Sequence, residues 1–264
     1  MNYSFTYKNF IFALMLFTGI NLYNDRLFCQ SKRVESNLSP AVEELSPEWV
    51  KQYSSESASS TLAQDDITTD HNGNVYALFY NSTTFHGLDF LLVKYNHSGK
   101  KIWTSRYDGT DHFTDQPKAL TVDANNNVYV TGSCYNYEEK SALTTIKYNE
   151  NGEQIWVNRF ENPLNGSVEA RGIMLGETGS IYLFALIKES GYWTEDFLTL
   201  RLDELGNALW WKRFDSGQSD DPMCWTVDKN DNVIVSGKSG EDRAIVKYNK
   251  EGEELWFRHY QDSK

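Results

Sequence analysis

Positive charge is scarce in this chain of 264 residues: 25 Lys and Arg stand against 37 Asp and Glu, for a net charge of −12. Nucleic acids and anionic membranes are therefore poor partners, because both select cationic surfaces. Cysteine is scarce too, with only Cys29, Cys134 and Cys224. These show no zinc or redox spacing, and Cys134 and Cys224 fall in non-neighbouring repeats, so no disulfide is expected. The histidines, at 71, 86, 97, 112 and 259, have no metal-binding spacing. A Gly-x-Ser-x-Gly elbow, a phosphate-binding Gly-rich loop and a paired catalytic carboxylate motif are all missing. The sequence thus assigns no catalytic residue, metal ligand or cofactor. A sustained helical period is absent as well, which leaves strands as the building material.

Long apolar runs are confined to the amino terminus. Phe10–Ile20, preceded by Lys8, has the length of a signal-peptide core and is too short for a comfortable membrane span. Residues 1–30 are expected to be a bacterial export signal, placing the mature protein in the secreted or envelope fraction. Cys29 follows that run, but Arg26, Leu27 and Phe28 are larger than the residues that precede a lipid-attached Cys. A lipid anchor there is the one route to a membrane. Residues 31–61 form a Ser-, Glu- and Pro-containing lead-in with one isolated strand expected at 48–53.

What is abundant is aromatic: 8 Trp, 16 Tyr and 14 Phe. Five of the tryptophans, Trp49, Trp103, Trp156, Trp210 and Trp256, recur at spacings of 54, 53, 54 and 46 residues, each with a basic-plus-aromatic tail such as WTSRY or WVNRF. A fixed period of this size marks a stacked or radial repeat. Each unit holds a run ending in Asp (DITTD, ALTVD, CWTVD), then a run such as NVYVTGS, a third such as LTTIKYN, and the tryptophan run. Short β-rich runs separated by Asn/Asp/Gly turns are antiparallel strands. Four strands in about 50 residues form one propeller blade, whose faces are buried only by neighbouring blades. The expected fold is an all-β propeller with repeats at 62–107, 115–160, 169–214 and 222–260. A ring on each fourth strand can fill the wedge between blades, contributing about 2–3 kcal/mol. Lys94, Lys147 and Arg201 recur with the period and are expected to stack on rings or cover apolar edges. Trp49 is left over as the end of a fifth unit. That count fits a four-bladed ring with a spare strand or, preferably, an open or incomplete propeller.

GNVYALFYN (73–81), NNVYVTGSC (126–134) and DNVIVSGKS (231–239), each preceded by an Asp, resemble the SBBP-type β-propeller repeat, with DQPKALTVDANNNVYVTGS (115–133) the best match. The third unit departs from it, with Gly176 in place of the Asp. The resemblance implies a secreted or surface-exposed bacterial propeller and no particular reaction. NENGEQIW (149–156), DELGNALW (203–210) and NKEGEELW (249–256) look like the turn-and-Trp segment of quinoprotein-type propellers. The other parts of a quinone site are not visible.

DHNGN (70–74), DANNN (123–127) and DKNDN (228–232) share the opening of a calcium loop but lack its Gly and Glu. They are read as turns whose Asp accepts the chain's own amides. Blade topology sends the short turns to one face. The long second-to-third and blade-to-blade loops go to the other, where binding is expected. Aromatic residues there, Phe85, Tyr135, Tyr137, Tyr192 and Trp193, with neighbouring acids, are the candidate contacts for a glycan or protein ligand. The favoured role is a non-catalytic binding or surface-interaction module. The alternatives are a propeller enzyme acting on carbohydrate, a quinone-dependent oxidoreductase, or an envelope assembly scaffold.

Overall fold

The computed structural model describes residues 49–50, 62–83, 87–110, 112–138 and 140–261. The signal segment and most of the lead-in lie outside them. The chain divides into two units, Met1–Ser54 and Ser55–Lys264. In the first only Trp49 and Val50 are described, and neither is in a strand. The second unit holds sixteen strands and, among the described residues, no helix.

The strands form four sheets, each antiparallel and each in simple chain order. The first contains β1 (Leu62–Thr69), β2 (Val75–Thr83), β3 (Gly87–Tyr95) and β4 (Lys101–Tyr107). The second contains β5 (Asp115–Val122), β6 (Val128–Tyr135), β7 (Ser141–Tyr148) and β8 (Gln154–Phe160). The third contains β9 (Ser167–Leu175), β10 (Ile181–Lys188), β11 (Glu195–Leu202) and β12 (Ala208–Phe214). The fourth contains β13 (Asp220–Val227), β14 (Val233–Ser239), β15 (Asp242–Tyr248) and β16 (Glu254–Tyr260). These are propeller blades, as the repeat period requires.

Turn chemistry sets the hairpins. Asp70 Oδ1 accepts the amides of Asn72 and Asn74, each at 2.9 Å, and Asp123 and Asp228 do the same in the second and fourth blades. The fourth residue of each such turn (Gly73, Asn126, Gly179, Asp231) has positive φ. The Asp side chains are thus engaged by their own turns, as Asx-type turns demand. Gly176 has a local reason. Asp231 reaches over from the fourth blade, accepting the Glu177 amide and the Thr178 hydroxyl. A Cβ at Gly176 would run into that carboxylate. The third blade borrows its turn acid from its neighbour.

Three apolar layers lie between successive blades. Tyr76, Leu78, Phe90 and Leu92 of the first meet Leu120, Val130 and Ile146 of the second. Leu143 meets Val168, Leu183 and Leu198. Tyr182, Phe184 and Phe197 meet Val233, Val235 and Val246. The inner strands β1, β5, β9 and β13 follow one another around the axis. No junction of comparable extent joins the fourth blade to the first among the described residues. On the side of the fourth blade away from the third, Lys238 and Arg243 are exposed.

The tryptophans lock each junction. Trp103, Trp156 and Trp210 donate their indole N–H to the carbonyls of Glu150, Glu204 and Lys250 in the next blade, at 2.9, 3.1 and 2.8 Å. Each ring lies on the hairpin glycine of that blade: a Cβ on Gly152, Gly206 or Gly252 would sit 2.7–2.8 Å from ring carbons. Behind each indole is the second-strand tyrosine, at 6.0–6.1 Å between centroids. Lys94 and Lys147 place their ammonium groups 5.0 Å from the Tyr76 and Tyr129 ring centres, and Arg201 caps Tyr182 likewise. In the last blade Trp256 is 36% exposed, with Arg258 over its ring.

Gly206→Ala is therefore expected to destabilise by about 2–3 kcal/mol, combining backbone strain at positive φ with overlap on Trp156. Gly179→Ala, with the same backbone sign but open space around its Cβ, should lose only about 1 kcal/mol. Urea denaturation of both variants measures the difference, and equal losses would contradict the interlock.

Candidate functional site

The inner strands carry a device that the period does not announce. Each has one register shift against its second strand: between Gln64 and Asp66, Pro117 and Ala119, Ala170 and Gly172, and Pro222 and Cys224. The residues in those bulges are Asp65, Lys118, Arg171 and Met223. A bulge leaves its residue outside the ladder and re-aims it. Four strands thus offer four such positions around one axis.

Lys118 and Arg171 line a cavity of about 270 Å³ between the first three blades. Tyr80 and Leu88 of the first blade form its apolar side. Gln116, Ser133 and Glu169 supply polar groups. Ser133 Oγ is committed, accepting the Ala170 amide at 2.9 Å. Arg171 is held between carboxylates, 3.3 Å from Glu169 and 3.5 Å from Asp221 of the fourth blade. Beside Lys118, Asp66 Oδ2 accepts the Leu120 amide at 2.9 Å, tying β1 to β5. Burial raises the Asp66 pKa above the ordinary carboxylate value, against the opposing pull of that amide, the Ile67 amide and Lys118. The cavity is therefore polar, of mixed sign, and braced by contacts between blades.

The aromatics singled out from the sequence are not gathered here. Tyr137, Tyr192 and Trp193 are 72%, 61% and 92% exposed. Trp193 has the Lys188 ammonium 5.5 Å from its ring centre. Tyr135 is half-buried at the end of β6, where desolvation raises its pKa. None of these four takes part in a ring–ring contact among the described residues. Phe85 lies outside the described residues. Lys118, Glu169 and Arg171 went unnoticed because single charges inside short strands read as solvent-facing positions. The recurrence of Lys118 and Arg171 five residues before the first residue of a blade turn, Asp123 and Gly176, was the available signal.

No family model and no curated protein sequence matches the chain. Among solved structures it is similar to a protein of unknown function from Dyadobacter fermentans, at 12% identity over 75% of this chain and 69% of that one, with a TM-score of 0.52. It is also similar to an α-L-arabinofuranosidase from Fusarium graminearum, at 13% identity over 74% of this chain and 64% of that one, TM-score 0.51. A Penicillium chrysogenum α-L-arabinanase matches at 13% identity over 74% of this chain and 66% of that one, TM-score 0.50. The chain thus spans about two thirds of these structures, and identities this low establish the fold alone.

The raised pKa of Asp66 has a signed consequence. A carboxyl that holds its proton more tightly when folded contributes no penalty below its unfolded pKa, and stability declines as pH rises through the folded value. Asp66→Asn, which can still accept the Leu120 amide, should melt higher than the wild type at pH 7 and equal to it near pH 3. Melting curves across that range check this, and a lower melting point at pH 7 would refute it.

Proposed function

We propose that this chain is an exported propeller module that binds a saccharide non-covalently at the axial cavity, with the long-loop aromatics as secondary contacts. The carrying observation is the cavity itself. It has an aromatic and an aliphatic wall from Tyr80 and Leu88, and amide, ammonium and guanidinium donors from Gln116, Lys118 and Arg171. Saccharide recognition uses this combination, in which a ring packs against one side while fixed donors and acceptors meet the hydroxyls. The exposed Trp193 and Tyr192 extend the same chemistry onto the loops. Export rests on the amino-terminal apolar segment, and the SBBP-like repeats accord with a surface role.

The second reading is a glycoside hydrolase, favoured by the likeness to the arabinofuranosidase and the arabinanase. That chemistry needs two carboxyl groups across one bond, one of them free to donate a proton. Glu169 at the cavity is instead ion-paired with Arg171, which also holds Asp221. This pairing supports binding over hydrolysis.

Titrating the protein calorimetrically with neutral oligosaccharides, arabino-oligosaccharides included, tests the proposal. Binding should appear for the wild type, weaken at least tenfold in Arg171→Ala, and weaken two- to fivefold in Trp193→Ala, each estimate reflecting loss of a polar anchor or a stacking contact. Absence of binding across a glycan array would overturn the saccharide reading. Release of shorter sugars on prolonged incubation would favour the enzyme.

A further inference from the structure

The junction between the third and fourth blades contains a second polar centre. Asp196, Asp215 and Asp220 each place an oxygen within 4.8 Å of the other two. Asp196 and Asp220 are fully buried. Arg213 is inserted among them, with Nε 2.6 Å from Asp196 Oδ2 and Nη2 3.0 Å from Asp215 Oδ2. Arg213 Nη1 also lies 3.3 Å from Glu189 Oε2, so one guanidinium serves several carboxylates and negative charge remains uncompensated within the cluster. Ser216 serves Asp220 through its amide and hydroxyl, both at 2.8 Å.

Two observations separate this cluster from an ordinary acidic loop. The first is polar demand left unmet. Asp196 Oδ1 is buried and has no hydrogen-bond partner. Ser239, 1% exposed, has an unpartnered hydroxyl and is the cross-strand partner of Asp220. Directly opposed residues project to the same side of a sheet, so this hydroxyl belongs beside the Asp220 carboxylate. At the corresponding position in the second blade, Cys134 is the cross-strand partner of the matching acid, Asp115. Buried polar groups left unpaired cost stability and call for an explanation.

The second observation is that the fold does not need these acids. Strand register makes Ala142 the counterpart of Asp196, and Val168 and Ile187 the counterparts of Asp220 and Ser239, at the junction between the second and third blades. All three are buried there without any polar group. The same architecture thus closes with hydrocarbon in that place.

We propose that Asp196, Asp215 and Asp220, with the Ser239 hydroxyl, form a binding site for one hard divalent cation such as calcium. Carboxylate and hydroxyl oxygens are the donors such ions prefer, and water can complete the six to eight ligands that calcium takes. A divalent ion would offset the negative charge left over after Arg213. A cavity of about 520 Å³ bordered by Arg213, Asp215 and Ser216 gives the ion a route from solvent. The ion would tie β11 of one blade to β13 of the next and brace the loop between β12 and β13. The related cluster Asp89, Asp108 and Asp115 at the first junction has Cys134 where Ser239 stands, and is the poorer oxygen site.

The test is calcium titration of EDTA-stripped protein by calorimetry, alongside melting curves at matched ionic strength. Wild type should bind calcium with at least one equivalent per chain. Its melting midpoint should rise by about 5–10 °C at a hundredfold excess over the dissociation constant. Asp196→Asn should lose one equivalent and most of the shift. Ser239→Ala, which removes only the unpartnered hydroxyl, should fold normally and bind about tenfold more weakly, so the proposal stays open to refutation if Asp196→Asn does not fold. No calcium heat and no shift in the wild type overturns the proposal, as does undiminished binding in Ser239→Ala together with Asp196→Asn or, should that not fold, Asp215→Asn.

Discussion

The structure depends on one contact made three times, an indole laid flat on a glycine of the next blade. A four-stranded sheet of this size has two faces to cover and, among the described residues, no helix to cover them. Its stability therefore comes from its neighbours. The Trp103, Trp156 and Trp210 rings settle how those neighbours approach. Each indole N–H fixes the height of the next hairpin through a carbonyl, and the missing Cβ fixes the distance. The Tyr and Lys or Arg behind each ring complete a stack running from one sheet into the following turn. The apolar layers then fill a gap whose width is already set.

Against that regular frame the chemistry lies in the irregularities. Lys118 and Arg171 line the cavity between blades, each as the one extra residue its strand accommodates. Asp196 and Asp220 are buried where another junction of the same chain carries Ala142 and Val168. Gly176 leaves a vacancy that Asp231 fills from across the junction. The bulges recur in every blade and only their residues differ, whereas Asp231 restores from the next blade the turn acid that Gly176 lacks.

The strands and their grouping were legible in the sequence because both depend on local signals. Val/Ile/Tyr alternation gives the strands, Asx and Gly turns give the hairpins, and the recurring Trp gives the period. The Asx reading of DHNGN and DANNN follows from the same locality, and the hydrogen bonds bear it out. The axial cavity was not legible, because it is assembled from three blades and its key residues are singled out by register, which composition does not encode. The aromatic loop residues were visible as rings, but exposure and mutual distance are tertiary properties. Tyr137, Tyr192 and Trp193 are exposed. The Asp cluster was not legible, because Asp196 lies in sequence among ordinary loop acids and reaches Asp220 only across a blade junction.

The inner-strand bulges have a consequence for how such a protein can diversify. A bulge residue sits opposite no ladder partner, so its side chain is not obliged to match a cross-strand neighbour. Asp65, Lys118, Arg171 and Met223 already differ in charge, size and polarity at one structural position, while the flanking strands keep their pairing. The residue in the bulge can therefore vary without altering the strand pairing. A lineage built on this scaffold can vary these positions one blade at a time, leaving the tryptophan–glycine interlocks between blades untouched.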